Sequence, residues 1–580
     1  MPLLAEQPQR MAREQVLLAQ LAVQPWFQGD RWTPVDGGLE FAFTLHLLDK
    51  VFEAVLVYPR LFPDVPCYVR PRRKGEIWST HQYVSGTLCL ERGPDNWHRS
   101  VTGADMVHSA MMLLGTERLA RRSRAIQPVR SRHIETTGQR MRFKTCRLIL
   151  TQGCFDAIQT ANWGAEGKLR VELALSYLDA HTVLVPLGVG EPSVSVHDVP
   201  SDVLRTESYP CTGWVVAHKA ATSTTEFRSA QELRNALAEA WPWTEELGDM
   251  PEAVFVLGGG GELRGFLLNG GDHPTFRELA VVDAREVDGQ RQPTHLSGIG
   301  GKTVAILGAG SVGSKVAVSL CRAGARHFVL VDDDTLGPEN LVRNELTWRD
   351  VGFDKVEALK RQIELIAADV KVEVFRTHLA GQENPQVEAR LAKRLIEVDL
   401  VVDATAAASA FLAAAALCRR AGIAMIWGEV FAGGGGGLIA RSRPGQDADP
   451  LAIRAHIAGV LGTLPDVPKV ATSRRYEGEL DGEILVASDA DVSALAAAMS
   501  QLTLDTLSQA NPSDYPHAAY LLGFRKFWVF EQPFDTRPID CSGVSATPDE
   551  LSTLTPQEED ALQLLQKQLG NEDAASDRTL

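Results

Sequence analysis

The sequence predicts a multidomain protein of α+β and α/β units: a small α+β unit, a middle region, then an α/β unit built on a parallel sheet. Three observations carry this. A helical pattern from Gln9 to Gln24 runs into apolar residues that alternate at Leu39, Phe41, Phe43, Leu45 and Leu47. From about residue 295 the pattern changes to strands alternating with helices. The chain has 580 residues, enough for three or four domains.

Taken in order, the first helix is stopped by Pro25, the alternating strand follows, and Lys50 to Tyr58 reads as its partner across a tight connection at Asp49-Lys50. Phe62-Pro63-Asp64-Val65-Pro66 is a rigid loop before a short strand around Cys67 to Val69. Between 145 and 290 strand-like runs occur at Arg170 to Leu175, Thr182 to Leu187 and Ala253 to Leu257. Gly258 to Gly261 reads as a turn into Leu263 to Leu268. No catalytic constellation stands out there, so this stretch is expected to be a linker or recognition domain. The expected division is residues 1–140, 145–290 and 291–580.

In the last part, Thr303 to Leu307 is a strand, Ser311 to Ala323 a helix closed by Gly324, and Phe328 to Val331 the next strand. Lys355 to Ala367 is an amphipathic helix with Val356, Leu359, Ile363 and Ile366 on one face. Leu400 to Val402 and Ala424 to Trp427 are further strands, and Phe527-Trp528-Val529-Phe530 is strand-like. The tail after Thr547 holds one amphipathic helix, about Pro556 to Leu569, before a polar end expected to be disordered.

Composition narrows the function. A formal charge of −16 argues against direct nucleic-acid binding. Between Arg118 and Arg147 there are ten Arg or Lys and one acid, Glu135. This stretch reads as a solvated face; the sharper alternative is a dock for an acidic partner. No run of apolar residues is long enough for a membrane helix. Met1 to Arg13 is mixed and charged rather than a signal peptide. The eight cysteines show no C-x-x-C spacing, so a structural zinc is not expected and a reduced, cytoplasmic setting is.

The chemistry concentrates in one loop. Val304-Ala305-Ile306-Leu307 followed by Gly308-x-Gly310-x-x-Gly313 is a strand, turn and helix that cradles phosphates with backbone N–H groups. Asp332 ends the next strand, where an acid can hold a ribose hydroxyl. An NAD dehydrogenase fits these features equally. The residues that follow, Asp332-Asp333-Asp334-Thr335, Asn340-Leu341-Val342-Arg343 and Lys355, break the tie. Hydride transfer has no use for Arg343 and Lys355. Cleavage between the α- and β-phosphates does, because charge builds on phosphoryl oxygens and on pyrophosphate.

Together with Val401-Val402-Asp403-Ala404-Thr405 and the glycine run Gly433 to Gly437 ahead of Arg443-Pro444-Gly445, these motifs resemble the E1-like adenylating enzymes of the ThiF/MoeB family over about residues 300–445. The resemblance implies a Rossmann-like adenylation domain using ATP and Mg²⁺, with Gly308, Gly310, Gly313 and Asp332 on the nucleotide and Asp334, Asn340, Arg343 and Lys355 around its phosphates. The sequence departs from that family after Thr405: Ala406 and Ala407 stand where the family usually has Asp-Asn, the Asp being its Mg²⁺ ligand. Asp334 or another acid is then needed.

Two thiols have settings that suit an acyl carrier. Cys541 lies in Thr536-Arg537-Pro538-Ile539-Asp540-Cys541-Ser542-Gly543, a polar, basic segment expected to expose a thiolate. Cys89 follows His81-Gln82-Tyr83 and precedes Trp97. With the helix, the strand meander and the Phe62-Pro63-x-x-Pro66 segment, the first 115 or so residues resemble a ubiquitin-conjugating (E2) domain. His81-Gln82-Tyr83 replaces the usual His-Pro-Asn, so another oxyanion donor is needed, from His81, Tyr83 or His98. An E2-like domain ahead of an E1-like domain resembles the E2–E1 fusion proteins of bacterial CBASS anti-phage operons. That implies activation of the C-terminus of a cyclic-oligonucleotide (CD-NTase-like) synthase, a thioester relay from Cys541 to Cys89, a lysine-bearing target and a homodimer. The alternatives are a sulfur-carrier-protein adenylyltransferase, which leaves Cys89 without a task, and a nucleotide-binding scaffold with a degenerate E2 domain.

Overall fold

The computed structural model describes residues 2–79, 81–83, 85–122, 138, 141, 144–163, 167–178, 181–200, 208–217, 227, 229–237, 252–258, 262–270, 275–285, 292–380, 384–465, 469–470, 477–480, 483–544, 555–559 and 561–566. The chain divides into two compact units, Met1–Phe143 and Lys144–Leu580. No helix among the described residues is long and apolar enough to cross a membrane.

The first unit is an antiparallel meander, β1 (Phe27–Val35), β2 (Gly38–Leu47), β3 (Lys50–Pro59) and β4 (Tyr68–Pro71), in that spatial order. Helices Pro8–Gln20 and Gly103–Arg122 accompany it. Leu39, Phe41, Phe43, Leu45 and Leu47 are all buried in its core, as their period of two requires. Glu14 fastens the first helix to the core: its buried carboxylate accepts from the Tyr58 hydroxyl at 2.9 Å, from the Gly103 N–H at 2.6 Å and from Arg10 Nε at 2.9 Å. The sequence reading did not foresee β1, whose residues are mostly exposed, or the helix Gly103–Arg122.

The second unit holds two large sheets. In the first, β5 (Cys146–Leu150), β6 (Lys168–Leu178), β7 (His181–Val189), β8 (Val194–Ser195), β9 (Ser208–Ala217), β10 (Glu252–Leu257), β11 (Leu263–Asn269) and β12 (Thr275–Asp283) run in the order β5-β12-β11-β10-β9-β6-β7-β8. An extra pairing of β5 with β7 closes this sheet on itself, which removes the exposed edges of an open sheet. Three of the four glycines expected to turn between β10 and β11 lie outside the described residues, as does much of the basic stretch from Arg118 to Arg147.

The second sheet runs β15-β14-β13-β16-β17-β18-β22-β23, with β13 (Thr303–Leu307), β14 (His327–Val331), β15 (Lys371–Phe375), β16 (Leu400–Asp403), β17 (Ala424–Phe431), β18 (Gly436–Ser442), β22 (Ala519–Gly523) and β23 (Thr536–Ile539). Strands β13 to β17 are parallel; β18, β22 and β23 add antiparallel to one side. Between β18 and β22 a small sheet of β19 (Lys469–Val470), β20 (Glu477–Leu480) and β21 (Glu483–Val486) branches off. Val304 and Ile306 of β13 pack into the core on one face, Ala305 and Leu307 into that on the other. Both faces are covered, so the strand reads as a continuous apolar run. The order β15-β14-β13-β16-β17 reverses direction between β13 and β16, and ligands of such sheets bind outside the strand ends at that reversal.

Two element expectations need correction. Phe527 to Phe530 is a tight turn closed by a Phe527–Phe530 bridge, with Trp528 at φ +51°, and not a strand. The helix from Lys355 ends at Glu364, short of Ala367. The tail helix is seen at 556–559 and 561–566, fully exposed; the polar end lies outside the described residues.

Candidate functional site

At the reversal between β13 and β16 lies a cavity of about 610 Å³, lined by Gly308, Gly310, Asp332, Asp334, Asn340 and Lys355 among others. Its floor is made by close backbone packing. Gly308 has φ +89°, and a Cβ there would come within 3.2 Å of Ala404. Gly313 opens the first turn of the helix Ser311–Arg322 and lies directly under the loop; a Cβ there would sit 1.8 Å from the Gly308 carbonyl oxygen. Glycine at both positions lets the loop and the helix N-terminus meet, and the first N–H groups of that helix point into the cavity.

Asp332 braces the loop, accepting from the Ala309 N–H at 2.7 Å and from the Asp334 N–H at 2.9 Å. Burial raises its pKa above the usual carboxylate range; those two N–H groups and Lys355 offset only part of the rise, and the Asp334 charge adds to it. Lys355 starts its helix with a nearly buried ammonium that contacts the exposed Asp334 carboxylate, while its own N–H donates to the Asp334 carbonyl at 3.0 Å. Asn340 uses its carboxamide oxygen to accept from the Gly337 N–H at 2.9 Å. Arg343 stands apart from the others. It is set outside the cavity lining, and its Nη1 donates to the Ala487 carbonyl at 3.0 Å.

Sequence reasoning missed Asn344, Thr377, His378 and Glu429. Asn344, buried, donates from Nδ2 to the Ala309 carbonyl at 3.2 Å and lines the cavity. Thr377 and His378 line it from beyond β15. The Thr377 hydroxyl is buried with no hydrogen-bond partner among the described residues, an acceptor or donor held ready for a polar ligand. Asn344 directly follows the Asn340-Leu341-Val342-Arg343 run, whereas no motif marks Thr377 or His378, which arrive by chain topology. The glycine cradle, the helix N-terminus, the ribose-type acid and this unpaired hydroxyl fit a nucleotide in chemistry and size.

The fit for a divalent cation is different. Ala406 has φ +52°, a conformation more usual for Asn, Asp or Gly, and it offers no carboxylate. Asp403, buried, is engaged by the Thr405 N–H at 3.0 Å and the Thr405 hydroxyl at 2.7 Å. Glu429, on β17, lines the cavity beside Ala406. Water reaches it from the cavity while protein crowds its other sides. That desolvation raises its pKa, Arg454 opposes the rise and Asp403 adds to it. Mg²⁺ needs only one or two carboxylates when phosphates supply the rest, and Glu429 offers one on the cavity lining. Bound there, Mg²⁺ would neutralise phosphate charge.

Cys541 follows β23 and is half-buried against the core of the sheet. Its setting is acidic, not basic as expected: burial raises the thiol pKa first, and Asp540 and Asp447 raise it further. Arg537, the cation foreseen in that segment, is paired with Asp535 at 3.3 Å. His456 contacts the Asp540 carbonyl through Nε2 at 2.9 Å. In the first unit Cys89 is also half-buried, and Trp97 donates from its indole to the Pro63 carbonyl at 2.8 Å. Cys321 and Cys418 are buried, Cys418 with its thiol pushed up to about 12.

Residues 289–447 match the ThiF family. The C-terminal part of the chain holds a ThiF/E1-like domain. Curated relatives align with stretches of the chain. The uncharacterized protein y4qC of Sinorhizobium fredii is 37% identical over 165 residues, 27% of this chain and 27% of that protein. The ATP-dependent ubiquitin transferase-like protein Cap2 of Pseudomonas aeruginosa is 30% identical over 120 residues, 20% of each. Ubiquitin-like modifier-activating enzyme 5 of Drosophila willistoni is 37% identical over 83 residues, 14% of this chain and 20% of that one. The aligned stretches thus span about a quarter of the first curated relatives' length. Among solved structures, Escherichia coli MccB with AMPCPP and MccA aligns at 17% identity and a TM-score of 0.31, covering 43% of this chain and 67% of that one. The cavity described above lies within the segment matched to the ThiF family.

Proposed function

We propose that this protein uses ATP to activate the C-terminal carboxylate of a partner protein and conjugates it, through thioesters on Cys541 and then Cys89, to an amine. A carboxylate oxygen attacks the α-phosphorus and pyrophosphate leaves. The Cys541 thiolate attacks the acyl carbon and AMP leaves. The Cys89 thiolate takes the acyl group from Cys541, and a lysine amine takes it from Cys89 as an amide. Each exchange passes on an activated acyl group, so ATP energy is retained until the amide forms.

The observation that carries this reading is the cavity at the strand-order reversal. A glycine loop, a helix N-terminus and the Lys355 ammonium converge there in the ThiF/E1-like segment. The nearly buried Lys355 is held by Asp334 at the cavity wall, where it would oppose charge on the departing pyrophosphate. Asn340 lines the same wall. The expectations for Arg343 as a phosphate contact, for a homodimer and for an E2-like first unit belong to the same reading. So do a CD-NTase-like acyl donor and a place in anti-phage defence; a relative named ubiquitin transferase-like supports this direction.

The test is ATP–pyrophosphate exchange in the presence of the protein encoded beside this one, with gels run with and without reductant. Exchange, together with a thiol-sensitive adduct lost in Cys541→Ala, supports the relay. Ala406 and Ala407 favour a second reading, a nucleotide-binding scaffold without turnover; nucleotide binding without exchange for every partner tried would establish it.

A further inference from the structure

The loop that carries Cys89 folds back on itself as a small antiparallel pair. Gln82 and Leu88 form a β-bridge. On either side of it the Cys89 N–H donates to the His81 carbonyl and the Tyr83 N–H to the Thr87 carbonyl, each at 2.8 Å. Side chains alternate across such a pair. Leu88 points into the core, 3% exposed. Gln82 turns the same way and is tied down on every side. Its oxygen accepts from the Trp78 N–H at 2.8 Å, and its amide donates to the Glu76 and Gly86 carbonyls at 2.8 and 2.9 Å. Tyr83 and Cys89 are therefore left on the opposite face, diagonal to one another, at a separation long side chains span. The Tyr83 hydroxyl closes that gap with a hydrogen bond to Cys89.

We infer that Tyr83 is a catalytic residue of the acyl transfer at Cys89: its hydroxyl donates to the Cys89 sulfur and stabilises the thiolate through which that sulfur must pass. This rests on the reading of Cys89 as an acyl carrier. The thiolate occurs twice in that chemistry. It is the nucleophile when the acyl group arrives. It is the leaving group when an amine attacks: the C–N bond forms, the C–S bond breaks with its electron pair going to sulfur, and the proton shed by the amine ends on that sulfur or in water. A phenol O–H already aimed at sulfur raises the share of thiolate when the acyl group arrives and stabilises the sulfur as it leaves, with no reorganisation at the moment of reaction. The neighbourhood fits a donor role for Tyr83. Its phenol is held above the usual range by burial first and by the Cys89 sulfur next, with Asp95 adding to both, so it remains protonated and able to donate. Of the other polar candidates in the segment, His98 is engaged with Ser100 at 2.8 Å.

The full-length protein and its Tyr83→Phe variant are alkylated with iodoacetamide at neutral pH, and the rate at Cys89 is read by mass spectrometry with Cys541 as the internal reference. Phenylalanine keeps the ring and removes only the donor, so a packing role predicts no change. The expected result is alkylation of Cys89 slowed about three- to tenfold at unchanged Cys541 rate, since loss of a hydrogen bond to a thiolate is offset in part by the higher nucleophilicity of a more basic one. Single-turnover discharge of a Cys89 thioester to lysine slows in parallel. Equal alkylation rates in the two proteins overturn the role of Tyr83. Slower alkylation with no Cys89 thioester under any condition leaves Tyr83 as the donor to this sulfur and overturns the carrier reading and the catalytic role with it.

Discussion

The Gly308 carbonyl oxygen faces Gly313 so closely that a Cβ on Gly313 would stand 1.8 Å away. That contact is backbone, so no side chain can swing aside. Gly313→Ala is expected to push the loop off the helix N-terminus and weaken nucleotide binding by at least about tenfold, the loss of one or two charge-assisted N–H bonds. Fluorescent-nucleotide titration of the folded variant checks this.

Lys355 is the cation the cavity wall holds in place. Lys355→Met is expected to reduce ATP–pyrophosphate exchange about 100-fold or more while leaving nucleotide affinity within a few-fold, because the ammonium acts mainly on charge that develops during the reaction. An equal loss in affinity and in rate would mean that Lys355 serves ground-state binding alone.

Glu429 stands beside the alanines that replace the expected acid. Glu429→Gln keeps the volume and removes the charge. The Mg²⁺ concentration giving half-maximal pyrophosphate exchange should rise about tenfold, or more. Direct Mn²⁺ titration with ATP present, followed by electron paramagnetic resonance, provides a readout independent of turnover.

Cys541 carries a raised thiol pKa because burial and the acids Asp540 and Asp447 disfavour the thiolate. Its reaction with iodoacetamide should therefore keep climbing with pH beyond the range where an exposed thiol levels off. Asp540→Asn removes one of the two charges and should speed the reaction at pH 7.5 by about two- to threefold. A rate profile against pH for both proteins decides it.

Glu14 is buried and accepts from Tyr58, Gly103 and Arg10. Glu14→Ala takes the acceptor from the buried Tyr58 hydroxyl and Gly103 N–H and from Arg10 Nε, and should cost the first unit about 3 kcal/mol. Limited proteolysis read by mass spectrometry would show faster cleavage within residues 8–114 and unchanged cleavage within 303–442.

The sequence by itself determined the elements whose pattern is local. β13 and the helix after Gly310 follow from an apolar run ending in spaced glycines, and the alternation at Leu39 to Leu47 follows from one buried face. The glycine loop, Asp332 and Lys355 were legible because each lies at the end of a strand or the start of a helix; Asp334 and Asn340, which also line the cavity, were expected from the family resemblance. What depends on contacts between distant segments was decided by tertiary structure. β1 is mostly exposed and carries no apolar alternation to announce it. The closing of the middle sheet needs β5 to meet β7 and β12, and no local pattern encodes that pairing. Thr377 and Glu429 reach the cavity from two other segments. The acidity around Cys541 comes partly from Asp447, nearly a hundred residues away in the chain. Local periodicity reports how a segment lies on its own core; which groups then share a cavity or a charge field is fixed only when the sheets assemble.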